Sequence, residues 1–264
     1  MSKEAVAVRP ASTMLLLRDG AEGMEVFMVV RHHQIDFASG ALVFPGGSVD
    51  ADDHRIAGDP TLYGDSAGLD AAALAFRIGA VRETFEECGI LLARTKGSNA
   101  LVSAARADEV AAAHRAALNK GERSFSEILT TEGMVPALDL LVPFAHWITP
   151  VGMPKRFDTH FYLAVAPADQ VGAHDGTESV DSIWVSPNAA VEGAKTGKFK
   201  LVFATERNLI KLGKQNSAAA SLDAARRDRV VTVCPEIIRS ETSRQLRIPA
   251  DAGYDGSLFD MGAG

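Results

Sequence analysis

Three glutamates and an arginine stand close together in the segment AVRETFEECGI, which covers residues 80–90. The arginine is Arg82, and the carboxylates are Glu83, Glu86 and Glu87. Like charges three or four positions apart on a helix repel one another, and the C-terminal end of a helix disfavours anions. A hard divalent cation bound by clustered carboxylate oxygens removes both penalties. Mg²⁺ suits such a cluster because it accepts a few carboxylates and leaves its other positions to water and substrate phosphate.

A single helix is expected to carry this cluster. Asp70 is a favourable N-cap residue, and Gly89 is a favourable residue just beyond a helix C-terminus. At 100° per residue, the three glutamates share one side of the helix with Gly79, and the apolar side chains lie on the other side. The helix is therefore predicted to pack on a core and to present three carboxylates together, although an ordinary solvated acidic face has the same pattern. The apolar stripe consists of Leu74, Ile78, Val81 and Phe85.

Segments with strand and helix patterns surround this helix. Residues 48–70 are rich in Asp and Gly and are predicted to be a loop or an insertion. A C-terminal β extension over 229–250 is predicted, in which RVVTVCP pairs with RQLRIP. Because no linker divides the chain, one domain over 1–264 with helical insertions is expected. Two strands, over 13–19 and 24–31, are predicted to form a hairpin, and further strands are predicted over 41–44, 140–149, 159–166 and 182–186. Helices are predicted over 103–133, 204–212 and 217–228, and a short helix is predicted to begin at Ser186-Pro187.

Composition and charge exclude several classes of function. The chain has 264 residues and a formal net charge of −7, which argues against nucleic acid or an anionic membrane surface as the main partner. Two cysteines are too few for a disulfide scaffold, so Cys88 and Cys234 are expected to be free thiols. The first residues lack the apolar core of a signal peptide, and no apolar run is long enough to span a membrane. The cytoplasm is the expected location.

The pattern around the acidic cluster resembles the Nudix hydrolase family. The family's box is Gly-x5-Glu-x7-Arg-Glu-U-x-Glu-Glu-x-Gly-U, where U is apolar, and RETFEECGI follows its second half with Thr84 at an apolar position. The sequence FPGG over 44–47 matches the segment that begins the box. Counting back from Arg82 places Leu74 where the first glutamate belongs. The box is therefore interpreted as split by an insertion over 48–70.

The resemblance implies a fold of the α+β class, with a mixed β-sheet in an α/β/α sandwich and a helical insertion over about 103–133. It also implies hydrolysis of a diphosphate linked to another moiety with Mg²⁺ or Mn²⁺. Glu86 and Glu87 are implied as direct metal ligands, and Glu83 as a ligand or as the base for the attacking water. This chemistry requires charge neutralisation and a positioned water more than covalent catalysis.

Three further residues complete the implied catalytic and metal site. The carbonyl of Gly46 is implied as a further metal ligand, and Arg82 is implied to orient a glutamate. Glu178 lies in the loop HDGTESVDS and is a candidate for an extra ligand or base, since Nudix enzymes often draw one from a later loop. A solvent-facing acid is the alternative for Glu178.

Two stretches resemble the coenzyme A and acyl-coenzyme A diphosphatase branch of the family. The segment VVRHHQIDFASGALVFPGG is similar to the motif upstream of the box, although His32 and Asp36 replace a serine and an arginine of that motif. The segments PFAHWITP, KRFDTHFYLA and WVSPNAA are similar to the branch with a split box. Phe157 could pack on an adenine or a pantetheine group, or RFDT could form a turn before a strand. The candidate substrate-binding residues are Arg31, Gly40, Phe44, Gly47 and Phe157.

Three functions are compatible with these residues. The first is cleavage of coenzyme A or acyl-coenzyme A to 3′,5′-ADP and (acyl-)4′-phosphopantetheine. The second is hydrolysis of ADP-ribose, dinucleoside polyphosphates or nucleoside triphosphates, because fold and box do not decide substrate. The third is a non-catalytic module that senses a nucleotide diphosphate, and the intact glutamate triplet argues against it. The C-terminal β pair is expected either to cover a sheet edge or to pair two subunits in a homodimer.

Overall fold

A mixed β-sheet lies at the centre of the fold in the computed structural model, which describes residues 6–31, 40–64, 68–172, 174, 179–240 and 243–261. Thirteen strands occur within these residues. Their bounds are Val8–Gly20 (β1), Gly23–Arg31 (β2), Leu42–Val43 (β3), Gly46–Ser48 (β4), Ala93–Thr95 (β5), Met134–Pro136 (β6), Val142–Ile148 (β7), Arg156–Val165 (β8), Ser179–Val185 (β9), Thr232–Val233 (β10), Glu236–Arg239 (β11), Arg244–Arg247 (β12) and Leu258–Asp260 (β13).

The central sheet contains eight of the described strands. Its main path runs in the order β10-β7-β8-β1-β2-β3, while β4 pairs with β1 and β9 pairs with β2. Strands β1 and β8 are parallel, and β1 is antiparallel to both β2 and β4. The strands β11, β12 and β13 form a separate antiparallel sheet, and β5 pairs with β6.

Helices cover both faces of the central sheet. Met14 and Leu16 of β1 belong to one apolar core, and Leu15 and Leu17 belong to the other, so the middle of this strand, residues 14–17, is an unbroken apolar run. The first core includes α1 to α6, and the second includes α7 to α9. The helices are Ala51–Ala57 (α1), Pro60–Tyr63 (α2), Ala71–Cys88 (α3), Ala104–Val110 (α4), Ala116–Asn119 (α5), Phe125–Glu132 (α6), Pro187–Lys195 (α7), Phe203–Leu212 (α8) and Ala218–Arg227 (α9), with a π-helical stretch at Ala111–Arg115 and a 3₁₀ turn at Leu138–Leu140.

The helix that carries the acidic cluster forms as its capping residues predict. Helix α3 begins after Asp70, whose side chain accepts a hydrogen bond from the backbone amide of Ala73 at 2.8 Å. It ends at Gly89, which adopts a left-handed conformation with φ of 70°. No helix among the described residues is long and apolar enough to cross a membrane.

Residues 48–70 contain ordered helices, so the prediction of a loop there is wrong. Asp50 begins α1 with a capping box that involves Asp53, and Asp59 begins α2. The helices bury Ile56 and Leu62 in the core. Helices of seven and four residues are too short for apolar periodicity to reveal.

Three strand predictions also need correction. The strand predicted over 41–44 covers only Leu42–Val43, and Gly46 beyond it begins β4, which pairs with β1. RFDT does not form a turn, because Arg156 begins β8 and pairs in parallel with Val8. At the C-terminus, RVVTVCP does not pair with RQLRIP: β10 joins β7 in the central sheet, and β12 pairs with β11 and β13. A short strand can complete either sheet, and sequence alone does not choose between them.

Candidate active site

A cleft of about 680 Å³ opens over the N-terminal half of β1 and its neighbours. Its floor consists mainly of alternate residues of three strands, because side chains on a strand alternate between the two faces. Thr149 follows the last residue of β7, and Ile148 also lines the cleft. The strand register places Ala11 of β1 and Trp147 of β7 on either side of Thr159 of β8. The floor residues are Arg9, Ala11, Thr13, Trp147, Thr149, Phe157, Thr159 and Phe161.

All three glutamates of α3 line this cleft. Their helix packs against β1, β4 and α1, so its acidic side is enclosed as well as its apolar side. The side chains of Glu83 and Glu86 are 13% and 20% exposed, and Glu87 is buried. The acidic face is therefore not an ordinary solvated helix surface.

Arg82 lies at the centre of the cluster and is itself buried. Its Nη1 donates to Oε1 of Glu83 and to Oε1 of Glu86, both at 2.9 Å. Its Nη2 donates to the carbonyl of Ser48 at 2.8 Å and to Oδ2 of Asp53 at 2.8 Å, and Nε donates to Oδ1 of Asp53 at 3.0 Å. An arginine has five N–H groups, so these five bonds use its full donor capacity. Arg82 thus holds two of the glutamates in fixed positions.

Asp53 is a site residue that the sequence analysis missed. It follows Gly47 by six positions, which is the Gly-x5-Glu spacing of the Nudix box with aspartate in place of glutamate. Counting backwards from Arg82 reached Leu74 instead, which is buried in the core. Counting forwards from Gly47 identifies Asp53, whose partner Arg82 stands 29 positions away in the chain.

The two glycines of FPGG allow the backbone to approach the glutamates closely. The amide of Gly46 donates to Oε2 of Glu87 at 3.1 Å. A Cβ atom on Gly46, where φ is 158°, would lie 2.3 Å from the carbonyl oxygen of Ser12. A Cβ atom on Gly47 would lie 2.5 Å from Oε1 of Glu83. A larger residue at Gly46 would push β4 away from β1, and a larger residue at Gly47 would displace the carboxylate of Glu83.

Burial controls the ionisation of the cluster. It raises the pKa of Glu83 to about 8, and the charge of Arg82 opposes that rise only in part. Burial also raises the pKa of Glu86. For Arg82, burial lowers the pKa, but the bonds to Asp53 and the charge of Glu83 outweigh it and hold the pKa above its usual value. Buried carboxylates with raised pKa values suit a divalent cation, because the cation replaces lost solvation and holds them ionised.

The helical region after α3 closes one side of the glutamate cluster. Arg115 donates from Nε to the carbonyl of Glu86 at 2.8 Å, and the Nδ2 of Asn119 lies 3.4 Å from the same carbonyl. Both residues therefore satisfy the C-terminal end of α3, and Asn119 also lines the cleft. Ser126 of α6 donates to Asp52 of α1 through its amide at 2.8 Å and its hydroxyl at 2.6 Å. The two inserted helical segments are thus bonded to each other beside the site.

Four of the five candidate substrate-binding residues line the cleft, namely Arg31, Phe44, Gly47 and Phe157. Gly40 does not line it; its amide donates to the carbonyl of Arg31 at 3.2 Å, and its φ is 66°. Glu178 lies outside the described residues, as do His32 and Asp36.

A second group of potential ligands lies on the opposite face of β8. Side-chain atoms of His146, Asp158 and His160 lie within 4.8 Å of one another, a donor set that a transition metal can bind. His146 contacts Asp158, and its Nδ1 lies 2.8 Å from Oγ1 of Thr232. The imidazole of His160 stacks on that of His146 with centroids 4.1 Å apart, and burial lowers the pKa of His160 to about 4. Because these residues alternate with the floor residues of β8, they are separate from the glutamate site.

A protein-family model matches the part of the chain that contains α3 and the strands β7, β8 and β9 of the central sheet. Residues 61–204, which are more than half of the chain, match the model described as the NUDT19 Nudix domain. The chain therefore belongs to the Nudix hydrolase family. The crystal structure of a Nudix hydrolase from Alicyclobacillus acidocaldarius is 28% identical and covers 81% of this chain and 96% of its own, with a TM-score of 0.67. The predicted fold class is thereby confirmed.

Several relatives carry the name acyl-coenzyme A diphosphatase NUDT19, and two of them illustrate the match. The protein from Gallus gallus is 29% identical over 213 residues, and the protein from Homo sapiens is 28% identical over 209 residues. Each match covers 65% of this chain and 56% of the relative, so the chain spans little more than half of these proteins. These matches confirm the predicted resemblance to the coenzyme A diphosphatase branch.

Proposed function

We propose that this protein is a metal-dependent diphosphatase that cleaves coenzyme A or acyl-coenzyme A to 3′,5′-ADP and (acyl-)4′-phosphopantetheine. The observation that carries this proposal is that one cleft combines the acidic cluster, several basic side chains and, on its far side, an apolar wall formed by Pro235, Ile237, Leu246 and Met261. A coenzyme A thioester has the matching parts, namely a diphosphate, a phosphorylated nucleoside and an extended arm. The names of the NUDT19 relatives support the same substrate class.

The basic residues of the cleft complement the phosphates of such a substrate. Arg9, Arg31, Lys155 and Arg244 all line the cleft, although the chain as a whole has a net charge of −7. Within the described part of the chain, Arg9 and Arg244 form no ion pair with an acidic side chain. Charge-assisted hydrogen bonds from arginine to phosphate are among the strongest that proteins form. We therefore assign the phosphate contacts to Arg9, Arg31 and Lys155, with Arg31 as the residue that the sequence motif also indicates.

The acidic cluster is proposed to hold Mg²⁺ or Mn²⁺. Glu86 and Glu87 are the proposed direct ligands, together with the carbonyl of Gly46. When bound, the metal supplies charge neutralisation at the diphosphate and lowers the pKa of a coordinated water. Glu83 completes the ligand set or accepts the proton of the attacking water. Arg82 orients Glu83 and Glu86 without contacting the substrate.

Other substrates of the family provide the alternatives. ADP-ribose, dinucleoside polyphosphates and nucleoside triphosphates contain the phosphates but lack an apolar arm that matches the far wall of the cleft. A module that senses nucleotides without turnover has no need for the complete carboxylate set. A single domain over 1–264, a homodimer and a cytoplasmic location remain expectations of the sequence.

A product assay with Mg²⁺ tests the proposal. Coenzyme A, a medium-chain acyl-coenzyme A, ADP-ribose and a dinucleoside polyphosphate would be compared by kcat/KM, with chelation of the metal as control. Highest kcat/KM for the coenzyme A pair, with 3′,5′-ADP as a product, is the expected result. Preference for ADP-ribose or a dinucleotide would retain the metal site and reject the substrate. Binding without turnover of any compound would favour the sensor.

A further inference from the structure

The small C-terminal sheet formed by β11, β12 and β13 provides the far wall of the cleft. Four apolar side chains from this region line the cleft beside the exposed Arg244, and all of them lie outside residues 61–204 that match the family model. The family match therefore says nothing about this wall. The four residues are Pro235, Ile237, Leu246 and Met261.

The strand register decides which side chains face the cleft. Ile237 of β11 is paired with Leu246 of β12, and the next position, Ile238, is paired with Gln245. Because neighbouring residues on a strand point to opposite faces, Ile237 and Leu246 share the cleft side, and Ile238 and Gln245 share the other side. Both isoleucines are half-buried, but only Ile237 lines the cleft.

Aromatic contacts hold this wall in place. The ring of Phe259, which is paired with Leu246, lies 5.3 Å from the ring of Phe203. The ring centroids of Phe203 and Trp147 lie 5.9 Å apart. The indole nitrogen of Trp147 donates a hydrogen bond to the hydroxyl of Tyr254 at 2.8 Å. Edge-to-face aromatic pairs at such distances contribute to stability beyond their buried area. The apolar wall is thus a fixed part of the cleft.

The wall lies far from the glutamates. Gly47 of β4 lies beside Glu83. In the sheet, β4 is followed by β1, then β8, then β7. Three strand spacings of roughly 4.8 Å give a separation of about 14 Å between β4 and β7, and the C-terminal sheet lies at the β7 side of the cleft. Only an extended substituent of a diphosphate placed at the glutamates reaches this wall. Pro235 lies two residues and Ile237 four residues after the end of β10, which pairs with β7.

We propose that the C-terminal sheet forms an apolar subsite for the acyl chain of an acyl-coenzyme A substrate, with Ile237 as a specificity-determining residue. This inference rests on the proposed function, which places the diphosphate at the glutamates. An acyl chain is apolar and flexible, so its burial against isoleucine, leucine and methionine side chains is favourable. Free coenzyme A lacks the chain and does not use the subsite.

Two matched variants test the subsite. Ile237→Ser removes apolar surface from the cleft side, and Ile238→Ser makes the same change on the opposite side of the same strand. Steady-state kinetics with Mg²⁺ would compare lauroyl-coenzyme A with coenzyme A. Ile237→Ser is expected to lower kcat/KM for lauroyl-coenzyme A about 10-fold, since apolar contacts of this size discriminate by about 10–200-fold, and to leave coenzyme A unchanged. Ile238→Ser is expected to leave both unchanged.

A third variant tests the subsite through a shift in the preferred acyl-chain length, which destabilisation of the fold alone would not produce. Ile237→Trp fills the subsite and is expected to shift the preferred acyl chain to a shorter length in a series of saturated acyl-coenzyme A substrates. Calorimetric titration without metal would measure the affinity for lauroyl-coenzyme A and for coenzyme A in the absence of turnover. Urea unfolding of all variants would verify that the fold is intact.

The outcomes separate the subsite from the proposed function. The subsite would be refuted if Ile237→Ser lowered kcat/KM equally for both substrates, or for neither, and if Ile237→Trp left the preferred chain length unchanged. The proposed function would stand in that case. Equal loss would indicate that this wall binds a part that the two substrates share. Failure of the wild-type protein to hydrolyse either substrate would refute both.

Discussion

The guanidinium of Arg82 donates two hydrogen bonds to the carboxylate of Asp53, from Nε at 3.0 Å and from Nη2 at 2.8 Å. Both residues are buried, with 4% and 0% of their surface exposed. Helix α1 supplies Asp53, and helix α3 supplies Arg82 together with the glutamates. The pair therefore ties the inserted segment to the helix that carries the acidic cluster.

Loss of the Asp53 charge is expected to destabilise the protein. Asp53→Asn keeps the shape but removes the charge that compensates the buried guanidinium, and breaking a buried ion pair costs about 3–5 kcal/mol. We expect about 3 kcal/mol, at the low end of that range, because Glu83 and Glu86 still accept hydrogen bonds from Arg82. Activity should fall about 10–100-fold, as with other residues that orient metal ligands. Denaturant unfolding measures the first effect and the product assay the second.

Asp50→Ser provides the control for that variant. The carboxylate of Asp50 lies 3.6 Å from Nε of Arg82, but its side chain is 50% exposed. Serine preserves the N-cap of α1, and exposed ion pairs contribute about 0–1 kcal/mol. A loss of stability equal to that of Asp53→Asn would contradict the central role of the buried pair.

Glu86→Gln is expected to remove activity while leaving the fold intact. The change is isosteric, reduces repulsion within the cluster and still permits an acceptor for Arg82. Loss of a direct metal ligand should lower kcat by more than about 100-fold, which exceeds the usual effect of a residue that only orients ligands. Glu25→Gln is the control, because Glu25 pairs with Arg18 outside the cleft. Full turnover by Glu86→Gln, measured with the same Mg²⁺ concentration, would show that the metal site is wrongly assigned.

Arg31→Ala is expected to raise KM more than it lowers kcat. A charge-assisted hydrogen bond to a substrate phosphate acts in the ground state and in the transition state alike, so its loss appears mainly as weaker binding. We expect KM to rise about 10-fold, which corresponds to about 1.4 kcal/mol. Arg18→Ala, which changes an exposed arginine paired with Glu25, should leave KM unchanged. An unchanged KM in Arg31→Ala would exclude a phosphate contact at this position.

The metal-free protein is expected to lose stability as pH rises. In the folded state Glu83 keeps its proton up to a pKa of about 8, whereas in the unfolded chain it loses the proton near its ordinary value of 4.5. The folded state therefore binds more protons between these values, and the stabilisation present below pH 4.5 disappears as the pH approaches 8. One proton contributes a slope of at most about 1.4 kcal/mol per pH unit.

Glu83→Gln isolates this contribution. The variant has no proton to lose at this position, so its metal-free stability should depend less steeply on pH than that of the wild type. Urea unfolding at several pH values between 5 and 8 provides the comparison. Saturating Mg²⁺ should reduce the wild-type slope, because a bound cation favours the ionised carboxylate. Parallel curves for the two proteins without metal would rule out a raised pKa at Glu83.

Local features of the sequence were sufficient to predict helix α3 and the acidic cluster on it. Asp70 and Gly89 define the ends of that helix through interactions within one turn, and the spacing of the glutamates places them together once the helix forms. The same holds for the hairpin of β1 and β2. The Nudix resemblance rests on residues adjacent in the chain, which is why it could be recognised and was confirmed.

Only the tertiary structure decided how distant segments complete the site. The sequence contains Asp53, but its contact with Arg82 spans 29 positions and depends on how α1 packs on α3. Gly47 was recognised, yet its closeness to Glu83 follows from the pairing of β4 with β1. Ile237 and Ile238 are identical in type and adjacent in the chain, and only the docking of the C-terminal sheet places the first of them in the cleft. Caps and periodicity are encoded over a few residues, whereas the packing partner of a short strand or helix is chosen by the whole fold.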